Sequence, residues 1–250
     1  MTPRVTVAVP SFNQGRWLAE ALDSLFAQGV PVEVFVLDAG STDGSVEVIR
    51  RYEDRLAGWR SSPDAGQAAA INEGVARGTA PYVCWLNSDD AWLPGGISKL
   101  MAALDADANA PMAYGRVWNH DVASGERRRN IEVRAFSEWL MARFNLVSQP
   151  ATLIRRSAWD AVGGVDAKLQ MAMDYDLWWR LYRHAGVAPR FVDDLVAINR
   201  IHAATKTNTR RREHYEEAIG VVRRHYGRVP LKWWLAWPYA VWFRSRGRVR

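Results

Sequence analysis

The chain reads as an α/β protein with a mostly parallel mixed sheet flanked by helices and an amphipathic tail. Three observations predict this. Short, nearly continuous apolar runs alternate with helical patterns from Val5 to Asn87. Polar clusters follow the carboxyl ends of those runs, and after Glu217 the chain becomes aromatic and basic. Strands apolar on both faces belong to a sheet covered on both sides, and helical crossovers make its strands parallel.

VTVAVP (Val5–Pro10) is the first strand, and a helix is expected from about Arg16 to Ala27. VEVFVLD (Val32–Asp38) is the second, with a helix from about Ser45 to Asp54. A short strand at Trp59–Ser61 leads to a helix over Gln67–Arg77, and YVCWLN (Tyr82–Asn87) is a fourth strand. The clusters Pro10–Asn13, Asp38–Ser41, Pro63–Gly66 and Asn87–Asp90 follow these strands, at the edge where open α/β sheets bind ligands. Four such loops converging there imply one site. From about Tyr114 to Arg212 strand and helix patterns mix less regularly. No repeat or linker interrupts them, so one domain is expected over 1–217, followed by a helical tail over 218–250.

With 250 residues, 48% of them apolar and 24% charged, the composition suits a globular chain with a sizeable core. Cys84 is the only cysteine, which excludes a disulfide framework and a thiolate zinc site and suits a reducing cytoplasm. The first residues lack a basic segment followed by an apolar one, so no secretory signal is expected. Eight lysines and arginines follow Glu217 with no acid among them; against the net +6 this leaves −2 on residues 1–217. A mildly acidic body argues against nucleic-acid binding.

The tail carries Trp233, Trp234, Trp237, Tyr239, Trp242 and Phe243 beside arginines. Its apolar run, Leu231–Phe243, is too short to span a bilayer. Tryptophans beside arginines suit peripheral contact with an anionic membrane; the competing reading packs the tryptophans on the domain. The arginine runs Arg127–Arg129 and Arg210–Arg212 are read as solvated faces, or as contacts for a phosphorylated lipid.

PSFNQ (10–14), VLDAGSTDGS (36–45), SPDAGQAAAINEG (62–74), VCWLNSDD (83–90), SQPAT (148–152), MDYDLWWRL (173–181) and RIHAATKT (200–207) together resemble the family 2 glycosyltransferases of the GT-A fold, in order over residues 4–207. The resemblance implies a Rossmann-like domain with a nucleotide-binding half over about 1–120 and an acceptor half over about 114–212. It also implies inverting sugar transfer from a nucleoside diphosphate donor, UDP favoured, to a hydroxyl of a glycan or lipid-linked saccharide. Such work belongs to cell-surface polysaccharide or glycolipid assembly, at the inner face of the plasma membrane.

By the same resemblance Pro10, Ser11 and Asn13 line the nucleoside, Asp38 accepts a hydrogen bond from the base, and Asp64 approaches base or ribose. Gly66, matching the family's D-x-G, lets the backbone turn tightly into the following helix. Asn72 either reaches the nucleotide or pins its loop. Ser41–Asp43 are expected to cap the helix after them. A calcium loop at DAGSTDG fails because Gly40 and Ile49 stand where oxygen ligands are needed.

Ser88-Asp89-Asp90 occupies the place of the family's D-x-D, with Ser88 standing for its first acid. Adjacent carboxylates would repel a diphosphate unless a divalent cation, Mn²⁺ or Mg²⁺, lay between them. The metal is expected on Asp90, with Asp89 assisting and His202 completing the shell. Arg200 or Lys206 is then expected at the diphosphate and Gln149 near the sugar or acceptor. Asp174 matches the family's base, which takes the acceptor proton, although Met173 stands where the family has glutamate. Asp176 and Arg180 are read as a structural pair, and Trp178 and Trp179 as core.

Other enzymes with α/β nucleotide sites, nucleotidyltransferases and dehydrogenases, are disfavoured because no Gly-rich phosphate loop follows the first strand. A non-catalytic, membrane-associated protein that binds nucleotide sugars is the alternative, and Asp89, Asp90 and Asp174 argue against it.

Overall fold

The computed structural model describes residues 2–238. Strand β1 (Val5–Ser11), helix α1 (Gly15–Phe26), β2 (Val32–Asp38), α2 (Ser45–Arg51), β3 (Gly58–Ser61), α3 (Gln67–Arg77) and β4 (Tyr82–Trp85) realise the alternation expected from the sequence. Then come β5 (Ala91–Trp92), α4 (Gly96–Asp105), β6 (Met112–Asp121), β7 (Arg127–Arg129), α5 (Glu138–Met141), β8 (Thr152–Arg155), α6 (Arg156–Val162) and α7 (Met173–Ala185). The chain continues through β9 (Arg190–Ile201), α8 (Lys206–Thr209), α9 (Arg211–Tyr226) and α10 (Leu231–Pro238).

Among the described residues the strands form one sheet in the order β3-β2-β1-β4-β8-β6-β9-β5, with β7 on β6. β1, β2, β3 and β4 are parallel, β8 is antiparallel to both β4 and β6, β9 runs parallel to β6, and β5 closes antiparallel on β9. The sheet is thus mixed but mostly parallel. Register places the functional edge: Ser11 pairs with Asp38 and Asp38 with Ser61, so three strands end level and release their loops together.

Alternation along β1 divides the core. Val5, Val7 and Val9 face a cluster with Leu18, Leu22 and Leu100 of α1 and α4, whereas Ala8 faces one with Ile71, Trp159 and Trp178 of α3, α6 and α7. Helix α3 lies so close to β1 that a Cβ on Gly74 would stand 2.6 Å from the Ala8 Cβ. Trp178 and Trp179 are fully buried, and Trp85 stacks on Trp178 with ring centroids 5.7 Å apart.

Three expectations are corrected. The helix begun at Ser45 stops at Arg51, and the strand begun at Tyr82 stops at Trp85. The boundary placed at 217 falls inside α9, whose Val221 and Val222 are buried in the core beyond it. The domain therefore includes that helix. Of the tail, Trp233 is buried against the domain; Tyr239, Trp242, Phe243 and the last four arginines lie outside the described residues. No helix among the described residues is long and apolar enough to cross a membrane.

Candidate active site

The four expected loops open onto one cavity of about 800 Å³. In the first loop Pro10, Ser11, Phe12, Asn13 and Gln14 line it. Asn13 takes a left-handed φ of 53° and lashes this loop to the second: its N–H donates to Ser41 Oγ at 2.8 Å and its Oδ1 accepts from Thr42 N at 2.9 Å. Asp43 serves the starts of two helices, accepting from Gly15 N at 2.9 Å and from Ser45 N at 3.1 Å. Of Ser41–Asp43, expected to cap α2, only Asp43 meets a helix start; the N-cap residue of α2 is Gly44, with no side-chain cap hydrogen bond. Ser11 Oγ is buried without a partner among the described residues, a free polar group on the cavity wall.

Asp38 does not line the cavity. Its Oδ2 accepts from Gly40 N, Ser41 N and Ser61 Oγ at 3.1, 2.9 and 2.6 Å, and its Oδ1 accepts from Ser41 Oγ at 2.5 Å. Both oxygens accept from groups of the loop and of β3, and the buried carboxylate shapes the loop behind the cavity wall. Asp64 and Gly66 do line it. Asp64 Oδ1 accepts from Gly66 N at 2.8 Å, and Gly66 holds a φ of 107°, open to glycine and strained for other residues. Arg60 fixes Asp64 from behind at 3.0 Å while also donating to the Asp38 carbonyl at 2.9 Å and to Glu73. Asn72 lies off the cavity and pairs both amide atoms with Val165, donating to its carbonyl at 2.9 Å and accepting from its N–H at 3.0 Å. Of its two expected roles it takes the pinning one.

The fourth loop separates its two acids. Asp89 lines the cavity, its Oδ2 3.0 Å from His202 Nε2 and 3.4 Å from Gln14 Nε2. Ser88 lines it too, donating to Gln14 Oε1 at 2.9 Å. Asp90 turns into the protein: it is buried, and its Oδ1 accepts from Arg200 N at 2.9 Å, fastening β5 to β9. Burial, and then the neighbouring Asp89 charge, push its carboxyl well above the usual range. Asp90, on which the metal was expected, does not line the cavity, whereas Asp89 does. Arg200 also stands behind the wall. It is buried, donates to the Asp89 carbonyl at 2.7 Å, pairs with Glu20 and lies 4.9 Å over the Trp17 ring. It positions Asp89 and does not line the cavity.

Among the described residues no three His, Cys, Asp or Glu side chains gather as a metal site. Two protein donors are nevertheless compatible with Mg²⁺ or Mn²⁺, which complete their shells with substrate phosphates and water. The 3.0 Å between Asp89 and His202 matches the roughly 3.0 Å between two adjacent donors each about 2.1 Å from an octahedral ion. Carboxylate and imidazole are suitable donors, and the site fits the group.

Asp174 enters from the start of α7, half-buried on the cavity wall. Burial raises its carboxyl to about 6, opposed by a 2.7 Å hydrogen bond from Tyr175 N and a weak one from Asn145 at 3.5 Å. Asp176, two residues on, faces away and is buried among Arg180, Arg224 and His225, a larger structural group than the expected pair.

A chain of amides that sequence reasoning did not single out closes the wall. Lys206 Nζ donates to Gln67 Oε1 at 2.7 Å, Gln67 to Asn87 at 2.8 Å, Asn87 to Gln149 at 3.0 Å, and Gln149 to the Trp85 carbonyl at 2.8 Å. Gln149 and Lys206 were expected in the site. Gln14, Gln67 and Asn87 were not, although each sits beside a residue that was. Their position inside the polar loops was the available signal.

Loops at the carboxyl edge of a mostly parallel sheet, with an acid and a histidine on one wall and a second acid at a helix start, define a sugar-transferring enzyme of GT-A architecture. The chain belongs to glycosyl transferase family 2, whose model matches residues 6–162. It is 26% identical over 227 residues to an uncharacterized glycosyltransferase of Rickettsia prowazekii, covering 86% of this chain and 70% of that one. It is 30% identical over 196 residues to the succinoglycan biosynthesis protein ExoU of Rhizobium meliloti, covering 70% of this chain and 56% of the relative. A mannosyltransferase from Pyrobaculum calidifontis, solved with GDP-Man and Mn²⁺, superposes with a TM-score of 0.69 at 21% identity, over 96% of this chain and 72% of that one.

Proposed function

We propose that this glycosyltransferase inverts the anomeric centre as it moves one sugar from a nucleoside diphosphate donor, UDP favoured, to a hydroxyl of a glycan or lipid-linked saccharide. The Pro10–Asn13 loop and Asp64 would receive the nucleoside, and Lys206 would meet the diphosphate. Asp89 and His202 would hold Mn²⁺ or Mg²⁺. The chemistry such an ion supplies when bound is neutralisation of the diphosphate's charge.

Asp174 takes the proton of the attacking hydroxyl, which approaches C1 opposite the departing diphosphate. The observation that carries the reading is this carboxylate: it faces the same cavity as Asp89, and its pKa of about 6 leaves it ionised yet basic near neutrality. The basic tail suits an anionic membrane surface, which would keep the enzyme beside lipid-linked acceptors at the inner face of the plasma membrane.

The test is Asp174→Asn. Donor binding by calorimetry should be retained while transfer falls roughly 10²- to 10⁴-fold. Turnover close to that of the parent enzyme would eliminate Asp174 as the base.

A further inference from the structure

Helix α10 has two apolar faces, and the domain covers one of them. Trp233 is 8% exposed, donates from its indole to the Ala142 carbonyl at 2.8 Å, and meets the Tyr215 ring edge-on at 5.7 Å. Lys232 donates to the Arg143 carbonyl at 2.6 Å with its Nζ 3.1 Å from the Phe144 ring centre. On the other side Leu231, Trp234 and Leu235 are 69%, 50% and 70% exposed. Their i, i+3, i+4 spacing makes one stripe along the helix.

The surroundings say what covers that stripe. No acid follows Glu217, while Arg228 precedes the stripe in sequence and Arg244, Arg246, Arg248 and Arg250 follow it. Residues 1–217 carry net −2 and residues 218–250 carry +8, so the positive charge is concentrated in the part of the sequence that holds the apolar stripe. On the segment that α10 grips, Arg143 lies 3.7 Å over the exposed ring of Trp139. Exposed tryptophan and leucine in a segment whose charged residues are all basic match the boundary of an anionic bilayer, which takes apolar side chains and basic groups at the same depth.

We propose that the outer face of α10, Leu231, Trp234 and Leu235, is a fixed membrane-docking surface for anionic lipid. This deepens the membrane-contact reading above and rests on it. That reading asks only for a basic tail near the lipid; here a helix face locked to the domain does the seating. Its orientation is functional. Trp233 and Lys232 grip residues 142 and 143, and the same segment sends Asn145 to within 3.5 Å of Asp174. The docked face thus belongs to the acceptor side of the cavity, where a lipid-linked acceptor would arrive from the same bilayer.

The experiment is co-sedimentation of the full chain with phosphatidylcholine vesicles, with and without phosphatidylglycerol. The parent should bind the anionic vesicles and not the neutral ones. The double variant Trp234→Ser/Leu235→Ser should bind roughly tenfold more weakly, with unchanged melting because both side chains are exposed. If it binds as the parent does while Arg244→Ser/Arg246→Ser/Arg248→Ser/Arg250→Ser does not bind, the tail charge acts alone: the α10 proposal falls and the membrane reading stands. A parent that binds neither vesicle overturns both. A shift of the double variant from dimer to monomer in sedimentation velocity would assign the face to a second copy and overturn the lipid proposal.

Discussion

The loops after β1 and β2 and the wall built by β5 and β9 are fastened in different ways. On the first side polar groups tie to neighbours at the same sheet edge, as Asn13 does to Thr42 and Asp43 to Gly15, across 29 and 28 residues. On the second side the ties span most of the chain: Asp89 to His202 across 113 residues and Asp90 to the Arg200 backbone across 110. Parallel register brings the first set together as soon as the strands pair. The second set exists only when β9 has returned along β5. Two adjacent acids on one loop therefore have separate work: Asp89 faces the cavity and Asp90 holds the returning strand.

The sharpest way to break that distinction is Asp89→Ala. Its carboxylate faces the cavity beside His202, so Mn²⁺-dependent donor affinity should fall roughly 10²-fold, with melting little changed. Calorimetry with and without Mn²⁺ reads this directly. Unaltered Mn²⁺ dependence would remove Asp89 from the metal.

A pH profile tests the other acid of the cavity. Asp174 has its carboxyl raised to about 6, and it acts as a base only when deprotonated. Catalytic efficiency should therefore rise with pH through about 6 and fall about tenfold per unit below it. The ascending limb should vanish in the residual activity of Asp174→Asn. A limb unchanged in that variant would assign the ionisation to another group.

Asp90→Ala should produce the opposite signature to Asp89→Ala. Removing the buried acceptor strands the Arg200 N–H, a loss of about 1–3 kcal/mol in stability by denaturant titration. Metal-dependent donor affinity of the folded fraction should stay near that of the parent. Lost Mn²⁺ dependence with intact stability would return the metal to Asp90.

This division explains what the sequence made legible. Strand and helix alternation through β4 was readable because apolar period and polar loops are local properties, and α3 was placed from Gln67 to Arg77 as observed. The loops that form the cavity were readable for the same reason. The orientation of a side chain within a loop was not. Asp38 and Asp90 sit in the expected motifs yet spend their carboxylates on their own loop and on β9, choices made by partners such as Ser61 and Arg200 that the motif does not contain. Gln14, Gln67 and Asn87 were missed for the converse reason: an uncharged amide announces nothing until its partners are in place.

Asn72 offers the finest test, because it ties α3 to the loop between α6 and α7. Its amide meets both backbone groups of Val165 across 93 residues, and the loop it pins is tight, since a Cβ on Gly164 would come within 2.5 Å of Asn72 Oδ1. Asn72→Ala removes both hydrogen bonds and should cost about 1–2 kcal/mol by denaturant titration. Donor KM should remain within about twofold, since the side chain lies off the cavity and a twofold change is well under the 1.4 kcal/mol of a tenfold one. If instead donor KM rises several-fold while stability holds, the amide reaches the nucleotide, and the long-range pin assigned to it gives way to a binding contact.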